Sequence, residues 1–478
     1  MVTIINPPFM QRLELSKEEK TFWSSFWNKT KSPDNSRLDS SQIEKIVQSN
    51  VRGNAKDVLT FDLLEIPMWY VHLSAVLASA GVSYKLVDLN FLSGPELKED
   101  AVLPHLNKDC DNIYLLSAFT NNIHFATTIL GAIRTKIPDA IVIMGGPHVT
   151  CTDEEILRSG VDFVVRGEGE KTLEELIPIL QQEKDPAEVK GITFMRNNKL
   201  VRTPNREPIR DLDSLPLPNY DILPTEYRQT FYTRLFTSRG CPMHCAFCSD
   251  VLWNNQFVRK KSLNRIQQEL DIIKKHINFV ELYVSDDTFS VDKQYSMAVA
   301  EVLKTAEIDW SCETRVDMIT PELLAHYKKC GCVGVDYGAE SAVQKVLDAS
   351  HKKTRVEQIE RAFRMTKNAG LTVHANWMIG LPADTPEHSK QTIEFACRML
   401  DNGLLDTADY FITVPYPGTP IVTTPEIYGY TIKTRNWASY REDSIPVFDL
   451  KDFPAEQIYA IWKEGLVRIA DSMQRGGK

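Results

Sequence analysis

Short apolar strands and helices alternate twice along this chain, and a proline-rich joint parts the two series. In the first, Val2–Asn6 reads as a strand, 69–80 as an apolar helix ended by Gly81, and 83–89 and 112–118 as strands. A helix at 124–135 follows, then strands at 140–144 and 162–165 and a helix at 168–180. Such alternation predicts an α/β, doubly wound parallel sheet of Rossmann-like type. Ligands of such sheets bind beyond the carboxyl ends of the strands. Those ends fall at Asn6-Pro7-Pro8, Ser117-Ala118-Phe119-Thr120, Gly145-Gly146-Pro147-His148 and Gly167-Glu168-Gly169.

The second series has strands at 231–237, 279–284, 310–313, 333–338, 372–380 and 409–414, with helices between them. Six such units predict a partial (β/α)6 barrel with active residues past its strand ends. The expected organisation is a first domain over 1–205, a linker over 206–230, a barrel over 231–420 and a helical extension over 421–478. Residues 11–60 interrupt the first domain where a short loop is expected. They read as a lid, a plug in the ligand site, or a helical surface decoration. In the tail, Ile458, Ile461, Trp462, Leu466, Ile469 and Met473 form one apolar stripe, read as a core-packing face.

Chemistry concentrates in Gly240-Cys241-Pro242-Met243-His244-Cys245-Ala246-Phe247-Cys248, a CxxxCxxC run. A four-iron cluster normally takes four cysteine ligands, so three would leave one iron open. Zinc is the competing reading. Structural zinc takes four ligands, usually as two pairs, and no second pair stands nearby. The other cysteines, Cys110, Cys151, Cys312, Cys330, Cys332 and Cys397, are scattered and read as small buried hydrophobes. No further cysteines bracket Cys330-Gly331-Cys332, so an auxiliary cluster is not expected there.

The cysteine run resembles the radical S-adenosylmethionine (SAM) superfamily. The run of strand, Pro-Pro, apolar helix, "VDL", Ser-rich turn, "MGGPHVT" and "VRGEGE" resembles the cobalamin-binding domain fused to many of its members. The "DLDSLPLP" joint is similar to the one between the family's two domains. The resemblance implies that Cys241, Cys245 and Cys248 hold a 4Fe-4S cluster and that Phe247 meets the adenine of SAM through its backbone. There, reductive cleavage of SAM yields a 5′-deoxyadenosyl radical that takes a substrate hydrogen. By position, Asp286 or Asp287 would hold the SAM ammonium, Arg315 its carboxylate, and Glu340 and Ser341 the ribose or the rim. The alternatives are helix capping for the aspartates and a structural salt bridge for Arg315. Ser117, Thr120, Gly145, Gly146, His148, Gly167 and Glu168 would line cobalamin. The DxHxxG motif that supplies a cobalt-ligating histidine elsewhere is absent, so cobalamin is expected without a protein imidazole.

The implied activity is that of a radical SAM enzyme, oxygen-sensitive and cytoplasmic. It would most readily be a cobalamin-dependent methyltransferase acting on an unactivated carbon of a small metabolite or natural-product intermediate. The alternatives are a radical reaction without methyl transfer (diol dehydration, epimerisation, ring formation) and a non-enzymatic metal-binding regulatory module. An electron donor such as flavodoxin, ferredoxin or a dedicated reductase is implied. The net charge of −9 argues against a nucleic-acid partner, which calls for a basic face. No apolar run is long enough to span a membrane.

Overall fold

A computed structural model describes residues 1–8, 66–91, 97–107, 112–249 and 257–476. The 11–60 insertion and Cys110 lie outside these residues. The first series forms a seven-stranded sheet of β1 (Val2–Asn6), β2 (Tyr84–Asp88), β3 (Ile113–Ser117), β4 (Ile141–Gly145), β5 (Phe163–Val165), β6 (Ile192–Arg196) and β7 (Lys199–Arg202). Its spatial order is β2-β1-β3-β4-β5-β6-β7. The first five strands are parallel, and the near-continuous apolar runs of β1, β3, β4 and β5 suit a sheet covered on both faces. The covering helices include α1 (Met68–Ser79), α2 (Ile123–Lys136) and α3 (Glu170–Gln181).

Strands β6 and β7 form an antiparallel hairpin at the sheet edge that the strand–helix pattern does not anticipate. Its turn is Asn197-Asn198, both at positive φ (50° and 59°). This is the geometry of a type I′ hairpin turn, which favours asparagine.

The 206–230 joint is a strap bolted to both domains. It carries short 3-10 turns whose Tyr220 and Tyr227 are buried. Asn219 donates to the Tyr84 hydroxyl at 2.7 Å, and the Tyr227 hydroxyl to Asp88 at 2.8 Å. On the barrel side, Arg265 donates to the carbonyls of Leu215 and Pro216 at 2.6 and 2.7 Å.

The second series begins with β8 (Gln229–Leu235), followed by the small antiparallel pair β9 (Ser238–Arg239) and β10 (Arg259–Lys260). The barrel continues with β11 (Asn278–Val284), β12 (Trp310–Thr314), β13 (Cys332–Glu340), β14 (Thr372–Ile379) and β15 (Thr407–Ile412). These six strands are all parallel, in the order β15-β14-β13-β12-β11-β8. Helices α4 (Leu263–His276), α5 (Lys293–Thr305), α6 (Pro321–Lys329), α7 (Val356–Asn368) and α8 (Pro386–Asp401) return the chain. Four start on side-chain caps, from Ser262, Asp292, Thr320 and Thr385, each satisfying a backbone N–H that a helix start leaves open.

Period-two alternation gives the barrel sheet two unlike faces. Leu282, Val284, Trp310, Cys312, Val335, Tyr337, Val373, Ala375, Trp377 and Ile379 are fully buried on one face. The cross-strand register places Tyr232, Arg234, Glu281, Tyr283, Ser311, Glu313, Asp336, His374, Asn376 and Asp409 together on the other. The apolar face supports the helices, and the polar face lines the concave lumen.

The extension contains a two-stranded antiparallel sheet, β16 (Tyr430–Ile432) and β17 (Phe448–Leu450), which a purely helical reading lacks. Its last helix, α9 (Ala455–Gly476), buries Ile458, Ile461, Trp462, Ile469 and Met473. Trp462 Nε1 donates to the Tyr410 carbonyl at 2.7 Å, so the stripe packs on the barrel. Among the described residues no helix is long and apolar enough to cross a membrane.

Candidate active site

The cysteine loop leaves β9 at the carboxyl end of the barrel. Gly240 sits at φ +106°, and its N–H reaches Asp287 Oδ2 at 2.8 Å. The loop is then pinned from two sides. Ala246 N donates to the Ser350 carbonyl at 2.9 Å, and Ile421 N to the Ala246 carbonyl at 3.3 Å. Cys245 is buried while Cys241 and Cys248 are half-buried. His244 is exposed.

Cationic side chains flank Cys245. Burial pushes its thiol pKa up, while Lys352 and Arg315 draw it back down. Lys352 Nζ pairs with Glu340 at 2.7 Å. Arg315 is held by both oxygens of Asp317 at 3.0 Å and by the Lys352 carbonyl at 2.7 Å. The salt-bridge alternative for Arg315 is therefore present in the structure. Glu340 adopts φ +62°, a strained conformation for a residue with a Cβ. Ser341 Oγ meets Thr392 Oγ1 at 3.2 Å, and Phe247 packs half-buried against the core.

The two aspartates divide their tasks. Asp286, 2% exposed, accepts the N–H groups of Thr237 and Ser238 at 2.6 and 3.0 Å and their hydroxyls at 2.5 and 2.7 Å. Four donors fill a carboxylate's accepting capacity, so the expectation of an ammonium contact passes to Asp287. Neither residue caps the next helix, a role that Asp292 takes through Tyr295 N.

At the strand ends of the first sheet, Gly146 adopts φ +104°, and a Cβ there would stand 2.6 Å from the Ala118 carbonyl oxygen. Only glycine permits this approach of the β3 and β4 turns. Gly145 lies beside Val165, and a Cβ on Gly167 would meet nothing within 4 Å. Ser117 and Thr120 are buried. Thr120 Oγ1 meets His148 Nδ1 at 3.1 Å. Burial lowers the His148 pKa to about 4, so the ring is neutral at pH 7. Its Nε2, both ring nitrogens of His124 and Asn121 Oδ1 are buried without a partner. Unsatisfied buried polar atoms call for a ligand or water, and a large polar cofactor at these strand ends fits them. Trp437, from the extension, packs edge-on against His148 with centroids 4.7 Å apart. Sequence patterns could not bring together two residues so far apart in the chain.

Glu168 differs from its expected role. Its carboxylate accepts from Arg239 at 2.7 Å, from Arg259 at 2.7 and 2.9 Å, and from Ile209 N at 2.7 Å. Its carboxylate therefore faces the barrel, where arginines supply charge-assisted bonds. Arg239 also reaches Glu170 at 2.7 Å. Behind this cluster, Glu269 joins Lys261 at 2.5 Å and Arg265 at 2.7 Å.

The lumen below the loop is polar and rich in carboxylates. Burial pushes the Glu281 pKa up to about 7, against a hydrogen bond from Ser311. Tyr283 donates to Asp336 at 2.8 Å. Burial opposes charge on His374, yet Asp336 and Asp409 outweigh it and raise its pKa to about 9. Arg234 stands over the rings of Tyr232 and Tyr283 and donates to Ser285 at 3.1 Å. At the rim, the Tyr416 hydroxyl donates to Glu442 at 2.7 Å.

Residues 235–396 match the model of the Radical SAM superfamily, and residues 56–177 that of the B12 binding domain. An uncharacterised methyltransferase of Pyrococcus horikoshii is 32% identical over 359 residues, 74% of this chain and 77% of that one. The anaerobic magnesium-protoporphyrin IX monomethyl ester cyclase of Cereibacter sphaeroides is 29% identical over 378 residues, 74% of this chain but 59% of the cyclase. Among solved structures, the radical SAM methyltransferase TsrM of Kitasatospora setae, with cobalamin and a [4Fe-4S] cluster bound, superposes with TM-score 0.64. Its identity is 15%, over 91% of this chain and 77% of that one. The cobalamin-dependent SAM radical enzyme OxsB, with aqua-cobalamin and SAM, gives 0.63 at 20% identity, over 85% and 52%.

Proposed function

We propose that this chain, which belongs to the radical SAM superfamily and carries a B12-binding domain, methylates an unactivated carbon of a polar small molecule held in the barrel lumen. Its cofactors are a 4Fe-4S cluster, SAM and cobalamin. When bound, they supply reductive SAM cleavage and a transferable methyl group.

The observation that carries this reading is the bond that Arg239, two residues before Cys241, donates to Glu168. It ties a strand end of the B12-binding domain to the loop proposed to hold the cluster. A reaction using both cofactors on one substrate needs their sites held at a set separation. Cys241, Cys245 and Cys248 are the proposed cluster ligands. Asp287 and Arg315 are proposed to orient SAM, and Ser117, Thr120, Gly145, Gly146, His148 and Gly167 to contact cobalamin.

The lumen supports a polar substrate. Glu281, Glu313, Asp336 and Asp409 outnumber Arg234 and His374 on that face, which favours amino or hydroxyl groups over a bare hydrocarbon. A flavodoxin, a ferredoxin or a dedicated reductase would supply the electron.

The test is anaerobic turnover with methyl-labelled SAM, a panel of amino- and hydroxyl-bearing substrates, and cobalamin present or omitted. Label should enter product only with cobalamin, alongside 5′-deoxyadenosine. The cyclase relatives motivate ring formation as the rival reaction. A product with two fewer hydrogens and no label would establish that rival in place of methylation.

A further inference from the structure

Glu301, His326 and Cys330 converge on the outer helical layer of the barrel, on the far side of the sheet from the lumen. Glu301 projects from α5. His326 and Cys330 stand four residues apart at the end of α6 and so share one face of that helix. His326 Nε2 lies 3.6 Å from Cys330 Sγ and 3.5 Å from Glu301 Oε1. All three donor atoms lie within 4.8 Å of one another.

These separations match the edges of a tetrahedral zinc centre. Zinc bonds of about 2.3 Å to sulfur and about 2.0–2.1 Å to imidazole nitrogen, at the tetrahedral angle, put sulfur and nitrogen about 3.6 Å apart. The corresponding nitrogen–oxygen edge is about 3.4 Å. The carboxylate, imidazole and thiolate set is one that zinc accepts, and two anionic ligands neutralise the ion.

The scaffold is already in place. Cys330 is buried, and its carbonyl accepts from Trp310 Nε1 at 2.9 Å. Gly331 follows at φ +89°, where a Cβ would stand 2.9 Å from the Ile308 carbonyl oxygen. The neighbouring Cys332 points elsewhere, its Sγ donating to the Gly334 carbonyl at 3.3 Å. The Cys330-Gly331-Cys332 pair is thus split between two environments.

We propose that Glu301, His326 and Cys330 form a zinc site, with water as the fourth ligand, separate from the iron–sulfur and cobalamin chemistry. Without metal, His326 Nε2 contacts the Met297 carbonyl at 3.2 Å, and burial with the Glu301 charge pushes the Cys330 thiol up to about 11. Zinc would take the deprotonated nitrogen and the thiolate. The thiol proton would go to solvent, and the imidazole proton would sit on Nδ1. The ion would then join α5 to α6 as a staple on the barrel wall.

The experiment is zinc chloride titration of reconstituted holoenzyme whose cluster is saturated with iron, followed by desalting and elemental analysis. Wild type should retain one zinc per chain. H326Q, C330S and E301Q should each weaken binding by at least the roughly 10–100-fold that even outer-shell changes cost, while 5′-deoxyadenosine formation stays at the wild-type rate. Cobalt(II) in place of zinc should give a thiolate charge-transfer band that C330S lacks. E301Q alters an exposed side chain, so its result stands even if a core variant misfolds. Wild type retaining no zinc, or all three variants retaining it as wild type does, overturns the site.

Discussion

Arg239 Nη1 lies 2.7 Å from Glu168 Oε1, across 71 residues of chain and from one domain to the other. Burial opposes charge on Arg239, but Glu170 and Glu168 outweigh it and hold the guanidinium protonated. Removing one partner of such a buried cluster leaves uncompensated charge. Glu168→Ala should therefore cost roughly 3–5 kcal/mol, read by denaturant unfolding, with faster proteolysis in the 206–230 strap. Unchanged stability and proteolysis would make the bond incidental to domain docking.

Asp286 and Asp287 should separate by readout. Asp286→Asn removes acceptor capacity from the Thr237–Ser238 turn, so lower stability and iron retention should come first. Asp287→Asn should weaken SAM binding by about 1.5–3 kcal/mol in anaerobic titrations with cluster content intact. Equal SAM affinity for Asp287→Asn and wild type would restrict that carboxylate to holding Gly240. Replacing Cys241, Cys245 and Cys248 together by Ala should abolish both iron binding and 5′-deoxyadenosine formation.

His148 bears on cobalamin. Its Nδ1 is engaged by Thr120 and its ring lies against Trp437; the DxHxxG motif of cobalt-ligating histidines is absent, so a bond to cobalt is not expected. Electron paramagnetic resonance of the Co(II) form should lack nitrogen superhyperfine splitting. Trp437→Ala should reduce cobalamin retention by loosening the His148 turn, with SAM cleavage unaffected. Nitrogen splitting that vanishes in His148→Ala would instead make His148 a ligand.

The lumen supplies a pH test. The folded-state pKa of His374, about 9, lies above the value near 6.5 of an unfolded chain. Its contribution is therefore full below about pH 6.5 and is lost as pH rises through about 9. The stability advantage of wild type over His374→Gln, on the order of 1–3 kcal/mol at pH 6, should shrink by pH 9.5 in melting curves. A constant difference across that range would mean the imidazole carries no charge in the fold.

Local pattern carried the architecture. All six barrel strands lie where alternating apolar segments place them, and the apolar stripe of α9 packs as a core face. The β6–β7 hairpin is legible in Asn197-Asn198, a pair that suits a turn with two positive φ angles. What local pattern could not reach was pairing across the chain. "VRGEGE" marks a strand end, but nothing local tells that Glu168 turns away from that end toward Arg239. Trp437 reaches His148 only once the extension has folded back, and Lys352 reaches Glu340 from the far side of a helical turn beyond the end of β13. The double aspartate is similar: both residues lie at the expected strand end, yet the folded turn at Thr237–Ser238 captures one of them.

The two faces of the barrel sheet carry separate messages on alternate letters of the same strands. Under the proposed function, substitution at Glu281, Asp336, His374 or Asp409 would change what the lumen recognises and leave Leu282, Val335, Val373 and Ala408 holding the helices in place. A lineage can thus drift from one substrate to another by single steps within an intact scaffold. The cysteine loop, anchored from outside the lumen by Ser350 and Ile421 and preceded by Arg239 on Glu168, would stay put through each step.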